Sequence, residues 1–552
     1  MLQIVQVDKI NLQKINLMKL LLLNIFVMLG IVAKAQVPEE FAIELEPFTI
    51  ASMPGIHSYA YAKTTDGKWL IVGGRIDGLH QRQPFAAFSE TDNNKSAYVI
   101  DPVSESFWSA DLNGLDASIF EQLQSTNQEF QQKDTVLYVF GGYGYSATLG
   151  AHTTFPSLTA ISVDQLSSAI INNENITPFF RQISDVRMKV TGGQIGILNN
   201  RFYLVGGQLF DGSYNPMGPE HGPGFTQQYT EAIRSFEIND DGINFTIENY
   251  QSTIDPTFLH RRDYNMSPQI YPDGTKGFTV FSGVFDSNDM PFLNSVDVFE
   301  SSYSTATNFN QYLSHYHSAK MPVYDSFSNT MHTIFFGGMS QFTLDNLGSL
   351  VEDVDVPFVK TISKVTRSSN WSMQETKLDY IEMPALVGSG AEFIPADDYF
   401  LEGEIVDINA VPQTKTLIGY IFGGIESSAE NIFFINDGTQ SIASSMIFKV
   451  YINKSIANVP EKSIAGEDIF ALNIYPVPVK NKLNVAFYCR DLSQISIRIT
   501  DQMGKIVQVD EYTPEYTGEQ KTKINLSKLE SGNYFIKVSD GINEQVKPLI
   551  VE

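Results

Sequence analysis

VLYVFGG, at Val136–Gly142, is one of six stretches in which a short apolar run ends in a pair of small residues. The other five runs are Trp69–Val72, Phe202–Val205, Phe278–Phe281, His332–Phe336 and Ile418–Phe422, and each is followed by Gly-Gly or, once, by Ser-Gly. Runs rich in β-branched and aromatic residues are typical of strands. A residue with little or no side chain lets the backbone turn sharply and lets a neighbouring sheet approach closely. Six recurrences therefore predict six copies of one structural unit.

The residues after these pairs complete the unit. After the first pair and a long loop, Ala97–Asp101 (AYVID) predicts a third strand and Phe107 begins a fourth. The same order recurs within Phe236–Tyr250 and within Phe358–Leu378. The repeated unit is thus predicted to be a four-stranded sheet.

This order of strand, glycine pair, strand, turn and aromatic residue resembles the kelch repeat of β-propellers. The resemblance implies an all-β fold with a six-bladed kelch-like β-propeller over residues 36–456. The sixth unit has a third strand at Met446–Ile452 but no convincing fourth. We expect Phe41–Phe48 to supply that outer strand and close the ring, and residues 457–470 to form a linker.

The C-terminal segment contains a second set of motifs. It begins IYPVPVKNKLNVAF at Ile474, continues with ISIRITDQMGKIV at Ile495 and INLSKLESGNYFIKV at Ile524, and closes with VKPLIVE. These motifs resemble the type A sorting domain of the type IX secretion system of Bacteroidetes. The resemblance implies a small β-sandwich over residues 471–552 that the type IX secretion machinery recognises. It also implies that the domain is usually removed, so that the cargo is released or attached to surface lipopolysaccharide.

The N-terminus agrees with export. From a start at Met18, a lysine, an apolar run and the sequence Ala33-Lys34-Ala35 have the order of a signal peptide, so residues 1–35 are predicted to be removed after export to the periplasm. The apolar run is shorter than the ~20 residues that span a bilayer. We expect a mature protein without a transmembrane segment, secreted or attached to the outer membrane or cell surface.

Composition excludes several functions. With 63 acidic and 37 basic residues, the chain is not expected to bind nucleic acid. Its single cysteine, Cys489, lies in the sorting domain, which excludes an intramolecular disulfide and the cysteine-dependent copper radical site of galactose oxidase. No cofactor and no metal site is predicted. Acidic clusters at Asp240–Gly242 and Asp286–Asp289 fit structural calcium but fit hairpin turns better.

In a propeller, the loop before the first strand of each sheet and the loop after its second strand lie on the same face of the ring. Ten residues of these loops are candidates for ligand binding: His57, Arg75, Tyr143, Arg187, Arg261, Arg262, Asp263, His315, Tyr316 and His317. The long loops after the glycine pairs add His80, Arg82, Tyr145, His152, Tyr214, Glu220 and His221. Together they predict an electropositive, aromatic-lined pocket for an anionic or polyhydroxylated ligand, such as an acidic sugar. The alternative is structural, because arginine and histidine at such positions in kelch-type strands often hydrogen-bond the carbonyls of neighbouring blades.

The predicted function is binding of an extracellular glycan or protein at this loop-rich face. The main alternative is a carbohydrate-active enzyme that uses the same mouth, although no catalytic residue is assigned. A sialidase-like site would combine Arg187, Arg261 or Arg262 with Tyr316 and Asp263, all present in the set above.

Three further alternatives remain open. A sugar-acid-epimerase-like site would pair His57 with Glu220 as acid and base. A metal site would use His315 and His317 with a third ligand. A structural adhesin would bind through its blade edges and leave the pocket inert. A carboxylate within hydrogen-bond reach of a histidine or tyrosine would favour the enzyme.

Overall fold

The computed structural model describes residues 40–552 except 84, 219–221, 223, 287–289, 307–308, 346–348, 457–460, 465–471, 490–491, 493, 502–504, 515–517 and 541–543. The predicted signal peptide lies outside the described residues. Strands dominate the described residues, whose helices are α1 (Ala117–Leu123) and α2 (Val163–Asn172), with single 3-10 turns at Glu90–Asp92, Thr177–Phe179 and Val186–Met188. Within the described ranges, no helix has the length and apolar character needed to cross a membrane.

The first three sheets follow strand β1 (Ala42–Phe48). Sheet I contains β2 (Ala60–Lys63), β3 (Trp69–Val72), β4 (Ser96–Asp101) and β5 (Ser106–Asp111). Sheet II contains β6 (Glu129–Lys133), β7 (Val136–Phe140), β10 (Ser157–Ser162) and β11 (Phe180–Ser184), with the hairpin β8 (Tyr143–Ser146) and β9 (Ala151–Thr154) after β7. Sheet III contains β12 (Gln194–Leu198), β13 (Arg201–Val205), β16 (Ala232–Asp240) and β17 (Phe245–Ile254), with the hairpin β14 (Gln208–Gly212) and β15 (Phe225–Tyr229) after β13.

The next three sheets repeat the pattern. Sheet IV contains β18 (Asn265–Ile270), β19 (Lys276–Phe281), β20 (Ser295–Val298) and β21 (Tyr303–Ala306). Sheet V contains β22 (Ala319–Asp325), β23 (Thr330–Phe336), β26 (Thr361–Arg367) and β27 (Met373–Glu382), with the hairpin β24 (Phe342–Leu344) and β25 (Leu350–Glu352) after β23. Sheet VI contains β28 (Leu386–Pro395), β31 (Thr416–Ser427) and β33 (Ile447–Asn453), with the short strands β29 (Phe400–Leu401) and β30 (Ile405–Asp407) before β31 and β32 (Ser441–Ala443) after it.

Consecutive sheets pack face to face around a common axis. Separate apolar clusters join sheet I to II, II to III, III to IV, IV to V and V to VI. A further cluster joins VI back to I, where Trp69 and Ile71 of sheet I meet Tyr420 and Phe422 of sheet VI. Six sheets that pack in sequence and return to the first form a closed β-propeller.

The closing strand is where the sequence predicts it. Strand β1 pairs antiparallel with β33, with Ala42 opposite Asn453 and Phe48 opposite Ile447. Strand β1 therefore supplies the outer strand of sheet VI. The first strand of the propeller is hydrogen-bonded to β33, which lies near the end of the propeller sequence.

Two expectations differ from the structure. The strand formed by the sixth apolar run does not end at Phe422 as expected. It continues through Gly423-Gly424 to Ser427, where β31 pairs with both β28 and β32. The predicted linker is partly a strand: β34 (Glu461–Ile464) pairs antiparallel with β27 on the outer edge of sheet V.

The C-terminal domain has two sheets. One contains β35 (Asn473–Tyr475), β36 (Lys482–Cys489) and β39 (Gly518–Asn525), and the other contains β37 (Ile495–Asp501), β38 (Ile506–Tyr512), β40 (Gly532–Ser539) and β41 (Glu544–Val551). Apolar residues of both sheets, among them Phe487 and Ile536, share one core. This is the small sandwich that the sequence predicts.

Candidate functional site

The residue after each glycine pair lies at one end of the propeller axis. In sheet I, Arg75 bridges back to His57, the residue that leads into the first strand. The equivalent pairs are Thr126–Tyr143, Thr191–Gln208, Arg262–Val284, Tyr316–Met339 and Ser389–Ile425. All twelve residues line one cavity of about 330 Å³. The cavity is therefore built on the repeat itself and receives side chains from every sheet.

In each pair, one residue lies at the first strand of its sheet, as His57 does, and the residue directly after it belongs to what we call the axial ring. The axial ring consists of Ser58, Asn127, Gly192, Asp263, His317 and Gly390. Each has a positive φ, between 40° and 73°. This left-handed conformation takes the residue out of its strand ladder, and its backbone groups bond to neighbouring sheets instead. For example, the N–H of Ser58 donates to the carbonyl of Gly390 (2.8 Å), and that of Asp263 donates to Gly192 (2.8 Å). The ring thus ties the sheets together beneath the cavity.

The structure brings together seven of the ten predicted site residues. The cavity is lined by His57, Arg75, Tyr143, Arg262, Asp263, Tyr316 and His317. The other three, Arg187, Arg261 and His315, are not among its lining residues.

Arg261 has a structural role. Its side chain is only 1% exposed and donates to the carbonyls of Phe258 (2.7 Å), Ser282 (2.7 Å) and Asn294 (2.9 Å). Burial lowers the pKa of its guanidinium to about 9. Arg261 therefore has a structural role, but the carbonyls it satisfies lie in the loop before β18 and in the β19–β20 connection of its own sheet and not in a neighbouring sheet, as the sequence alternative had it.

His315 is held in the same way. Its Nδ1 donates to the carbonyl of Gly337 (2.8 Å), and its Nε2 contacts the hydroxyl of Ser363 (2.7 Å). Because both nitrogens are occupied and only His317 lines the cavity, the two histidines do not form a metal-binding pair. Their left-handed backbones, at φ 45° and 40°, remove the strand alternation that the pairing assumed. Elsewhere in the described part of the chain, no group of three metal-ligating side chains occurs.

Arg187 lies outside the cavity on a single 3-10 turn. Asp185 caps this turn and also accepts hydrogen bonds from the guanidinium of Arg187 (2.5–3.0 Å). The guanidinium lies 4.7 Å from the centre of the Tyr250 ring, and 38% of the side chain is exposed. The turn directs the side chain to the surface, so Arg187 does not join Arg262, Tyr316 and Asp263 in a sialidase-like site.

The arginines that do line the cavity are paired with aspartates. Arg75 is 2% exposed and binds Asp77 through two hydrogen bonds of 2.8 and 2.6 Å. Burial alone would raise the pKa of Asp77, but the adjacent Arg75 and His57 side chains hold it at about 2. This aspartate stays ionised, and the charge of Arg75 is compensated before any ligand arrives.

Arg262 has a similar environment. Its Nη1 lies 3.3 Å from Asp263 Oδ2, and its Nε donates to the Tyr229 hydroxyl at 3.0 Å. The Tyr316 hydroxyl donates to the same Asp263 oxygen at 2.8 Å. Burial raises the pKa of Tyr316 well above its usual value, so it stays protonated. The cavity is not the electropositive site that the sequence predicts, because each arginine has an acidic neighbour.

Aromatic rings form much of the wall. The cavity is lined by Phe88, Tyr143, Phe210, Tyr214, Phe285, Tyr316, Phe433 and Phe434. His80 lies among three of these rings, with its centroid 4.9 Å from that of Tyr214. Burial lowers the pKa of His80 to about 4, so it is neutral at physiological pH. The wall therefore combines flat apolar faces with an uncharged imidazole.

Several buried polar atoms on lining residues have no hydrogen-bond partner among the described residues. They are His80 Nδ1, Thr126 Oγ1 and Asn127 Oδ1. A buried polar atom left unpaired costs about 1–3 kcal/mol.

The remaining sequence candidates have other positions. His152 lies on the β8–β9 hairpin, where its Nε2 contacts the carbonyl of Phe88 (3.0 Å). Arg82 lies over the ring of Phe434 at 5.0 Å. Glu220 and His221 lie outside the described residues. At the acidic turn after β16, Asp240 binds Arg181 and Tyr138, as a structural turn would.

Sequence reasoning missed seven of the twelve bridged residues: Thr126, Thr191, Gln208, Val284, Met339, Ser389 and Ile425. All seven are uncharged, and none is a residue type that by itself points to ligand binding. Four of them had a positional signal, since Gln208, Val284, Met339 and Ile425 each follow a small-residue pair of the repeat, whereas Thr126, Thr191 and Ser389 are their equivalents at the first strand. It also missed Phe433 and Phe434, which lie in an irregular loop of sheet VI.

Residues 473–552 match the family model described as the secretion system C-terminal sorting domain. This domain implies recognition by the type IX secretion system, and hence a protein that is secreted or attached to the cell surface. No curated protein matches the chain. Among solved structures, "Structure of YjhT" aligns over 72% of this chain and 97% of its own, with 11% identity and a TM-score of 0.39.

Proposed function

We propose that this protein is an exported, kelch-type β-propeller of a Bacteroidetes-like bacterium that binds a neutral glycan in its axial cavity. The observation that carries the proposal is one cavity lined from all six sheets by aromatic rings, with polar side chains such as Thr126, Asn127 and Gln208 between them. Sugars present apolar C–H faces and hydroxyl groups together, and hydroxyls both donate and accept. We include in the proposal a signal peptide at 1–35 that directs the chain to the periplasm.

Charge favours a neutral sugar over an acidic one. Arg75 is paired with Asp77, and Arg262 is paired with Asp263. Asp355 also lines the cavity. An anionic ligand would compete with these carboxylates for the same guanidinium groups and would be repelled by them. A neutral sugar can bond to the pairs without separating them.

Size favours a small ligand over a protein partner. A volume of about 330 Å³ is at the lower end of the ~300–1,000 Å³ that small-molecule pockets occupy. A protein partner would instead need an extended surface of about 800 Å² on each side.

The test is a glycan array that contains neutral and acidic sugars, with two variants of adjacent residues. Phe434 lines the cavity, whereas Ile435 does not, and both side chains are more than half exposed. Phe434→Ala should weaken glycan binding by about tenfold, since losing the burial of one aromatic face costs about 1.5 kcal/mol. Ile435→Ala should bind as the wild type does. Absence of wild-type binding to every sugar would refute the proposal, and exclusive binding to acidic sugars would refute its neutral form.

The second candidate is an acid–base enzyme that acts on the same bound sugar. The hydrogen bond of 2.8 Å between Tyr316 and Asp263 favours it, because it places a carboxylate and a proton donor together at the cavity. His317 is neutral there, since burial lowers its pKa. The raised pKa of Tyr316 argues against a tyrosine nucleophile of the sialidase type. The epimerase-like pairing of His57 with Glu220 remains a prediction.

Turnover separates the two candidates. Bound sugars from the array would be incubated with the protein and followed by NMR of their anomeric protons. Asp263→Asn is a suitable variant, because asparagine tolerates the left-handed φ of 52° at this position. Conversion by the wild type that this variant abolishes would support the enzyme. Unchanged spectra would leave the binding protein as the function.

A further inference from the structure

The connection between β28 and β31, residues 396–415, occupies the end of the axis opposite the cavity. Its strand β30 pairs parallel with β22, with Val406 opposite Val323 and Asp407 opposite Tyr324. Because β22 is the innermost strand of sheet V, β29 and β30 extend that sheet inward across the channel. This closing segment is the feature from which the inference follows.

The closing segment is attached to several sheets. Lys63 of sheet I donates to the carbonyl of Ala396 (3.1 Å) and pairs with Asp397 (2.9 Å). Lys276 of sheet IV pairs with Glu402 at 2.5 Å. These contacts span the channel from one side to the other.

Sheet VI and the segment's own apolar residues complete the attachment. Lys454, which follows β33, donates to the carbonyls of Ile408 and Val411 at 3.0 Å. Val406, Ile408 and Val411 are almost fully buried. A segment with an apolar core and contacts to sheets I, IV, V and VI is a fixed floor.

The polarity of the strands places this floor opposite the cavity. Strand β2 begins beside His57 and Ser58 at the cavity and ends at Lys63. Strand β22 likewise begins after His317 at the cavity and ends at Asp325, where Asn409 of the closing segment donates to it (3.0 Å). The cavity therefore opens toward the loops, and the axis is closed below it.

We infer that the cavity binds a terminal sugar unit of a glycan chain and excludes internal units, an inference that rests on the proposed function. An internal unit carries a glycosidic substituent on both sides, so a chain bound through it needs two exits. Among the residues that the structure describes, the closing segment blocks the opposite end of the axis, and the loop side provides one exit. A terminal unit needs a single exit and fits a cavity of about 330 Å³.

The test compares oligosaccharides whose ends are free or blocked. The probes are linear hexasaccharides of glucose, galactose, mannose and N-acetylglucosamine. Each is prepared in four forms: both ends free, the non-reducing unit blocked as methyl ethers, the reducing end blocked as a bulky aryl glycoside, and both ends blocked. Cyclomaltohexaose, which has internal units only, is matched to linear maltohexaose. Binding to the full-length protein is measured in solution by calorimetry.

The inference expects the doubly blocked form of any sugar that binds to lose at least about tenfold in affinity, with one singly blocked form accounting for the loss. If maltohexaose binds, cyclomaltohexaose should not. Equal affinity for free and doubly blocked chains would overturn the inference while leaving glycan binding intact. Failure of every sugar, free or blocked, would overturn the proposed function and the inference with it. Binding that is weakened about tenfold in Phe434→Ala and unchanged in Ile435→Ala assigns the measured affinity to the cavity.

Discussion

Replacing Arg261 separates a structural arginine from a ligand-binding one. Arg261→Met keeps most of the side-chain volume but removes the donors to the carbonyls of Phe258, Ser282 and Asn294. A buried carbonyl without a donor costs about 1–3 kcal/mol, so three should cost about 3–6 kcal/mol when some rearrangement is allowed. For a domain of several hundred residues, this corresponds to a fall in Tm of about 3–6 °C.

Arg187→Met is the matched control. Arg187 is partly exposed and its main partner, Asp185, is a neighbour in sequence, so its loss should cost no more than about 1 kcal/mol. Scanning calorimetry measures both Tm values, and the glycan array measures binding by the folded variants at 20 °C below their Tm. Both variants should bind as the wild type does. The reasoning fails if Arg261→Met loses binding while its Tm is unchanged, because Arg261 would then contact the ligand.

Three further predictions concern stability and export. Burial raises the pKa of Glu129 to about 8, so this residue stabilises the fold most below pH 4.5 and loses that contribution as the pH rises toward 8. Relative to Glu129→Gln, the wild type should lose about 1.4 kcal/mol of unfolding free energy per pH unit across this range. Parallel curves of Tm against pH for the two proteins would contradict this. A side chain at Gly337 would collide with the carbonyl of Val387 at a left-handed φ, so Gly337→Ala should cost about 2 kcal/mol or more by urea unfolding. Gly114→Ala, with nothing within 4 Å, should be near neutral, and similar losses for both would disprove the steric argument. Deletion of residues 473–552 should retain a folded propeller in the periplasm on cell fractionation, and normal surface or medium levels would show that export does not need the sorting domain.

The strands could be predicted because their signals are local. Trp69–Val72 and Val136–Phe140 have the predicted bounds, and β1 pairs where the missing strand of the sixth unit required one. An apolar run and the glycine pair that follows it are determined by neighbouring residues, so they can be read without a fold.

The direction of individual side chains could not be predicted. Arg261 and Arg262 are adjacent, yet one bonds carbonyls between strands and the other lines the cavity. The difference arises from the bridge between Arg262 and Val284 within sheet IV and from the left-handed backbone at Asp263, whose N–H donates to the carbonyl of Gly192 in sheet III. The arginines and histidines of the loops predicted a positively charged cavity. In the structure, Arg75 and Arg262 are each paired with an aspartate, which compensates their charge.

The sequence by itself determined the repeat, the closing strand and the C-terminal sorting domain. It did so because strand periodicity, glycine pairs and the sorting motifs are short-range patterns. Only the tertiary structure decided that twelve residues, spread from His57 to Ile425, meet in one cavity and that residues 396–415 close the opposite end of the axis. These outcomes depend on contacts between sheets far apart in the chain, and the closing of the ring brings those sheets together.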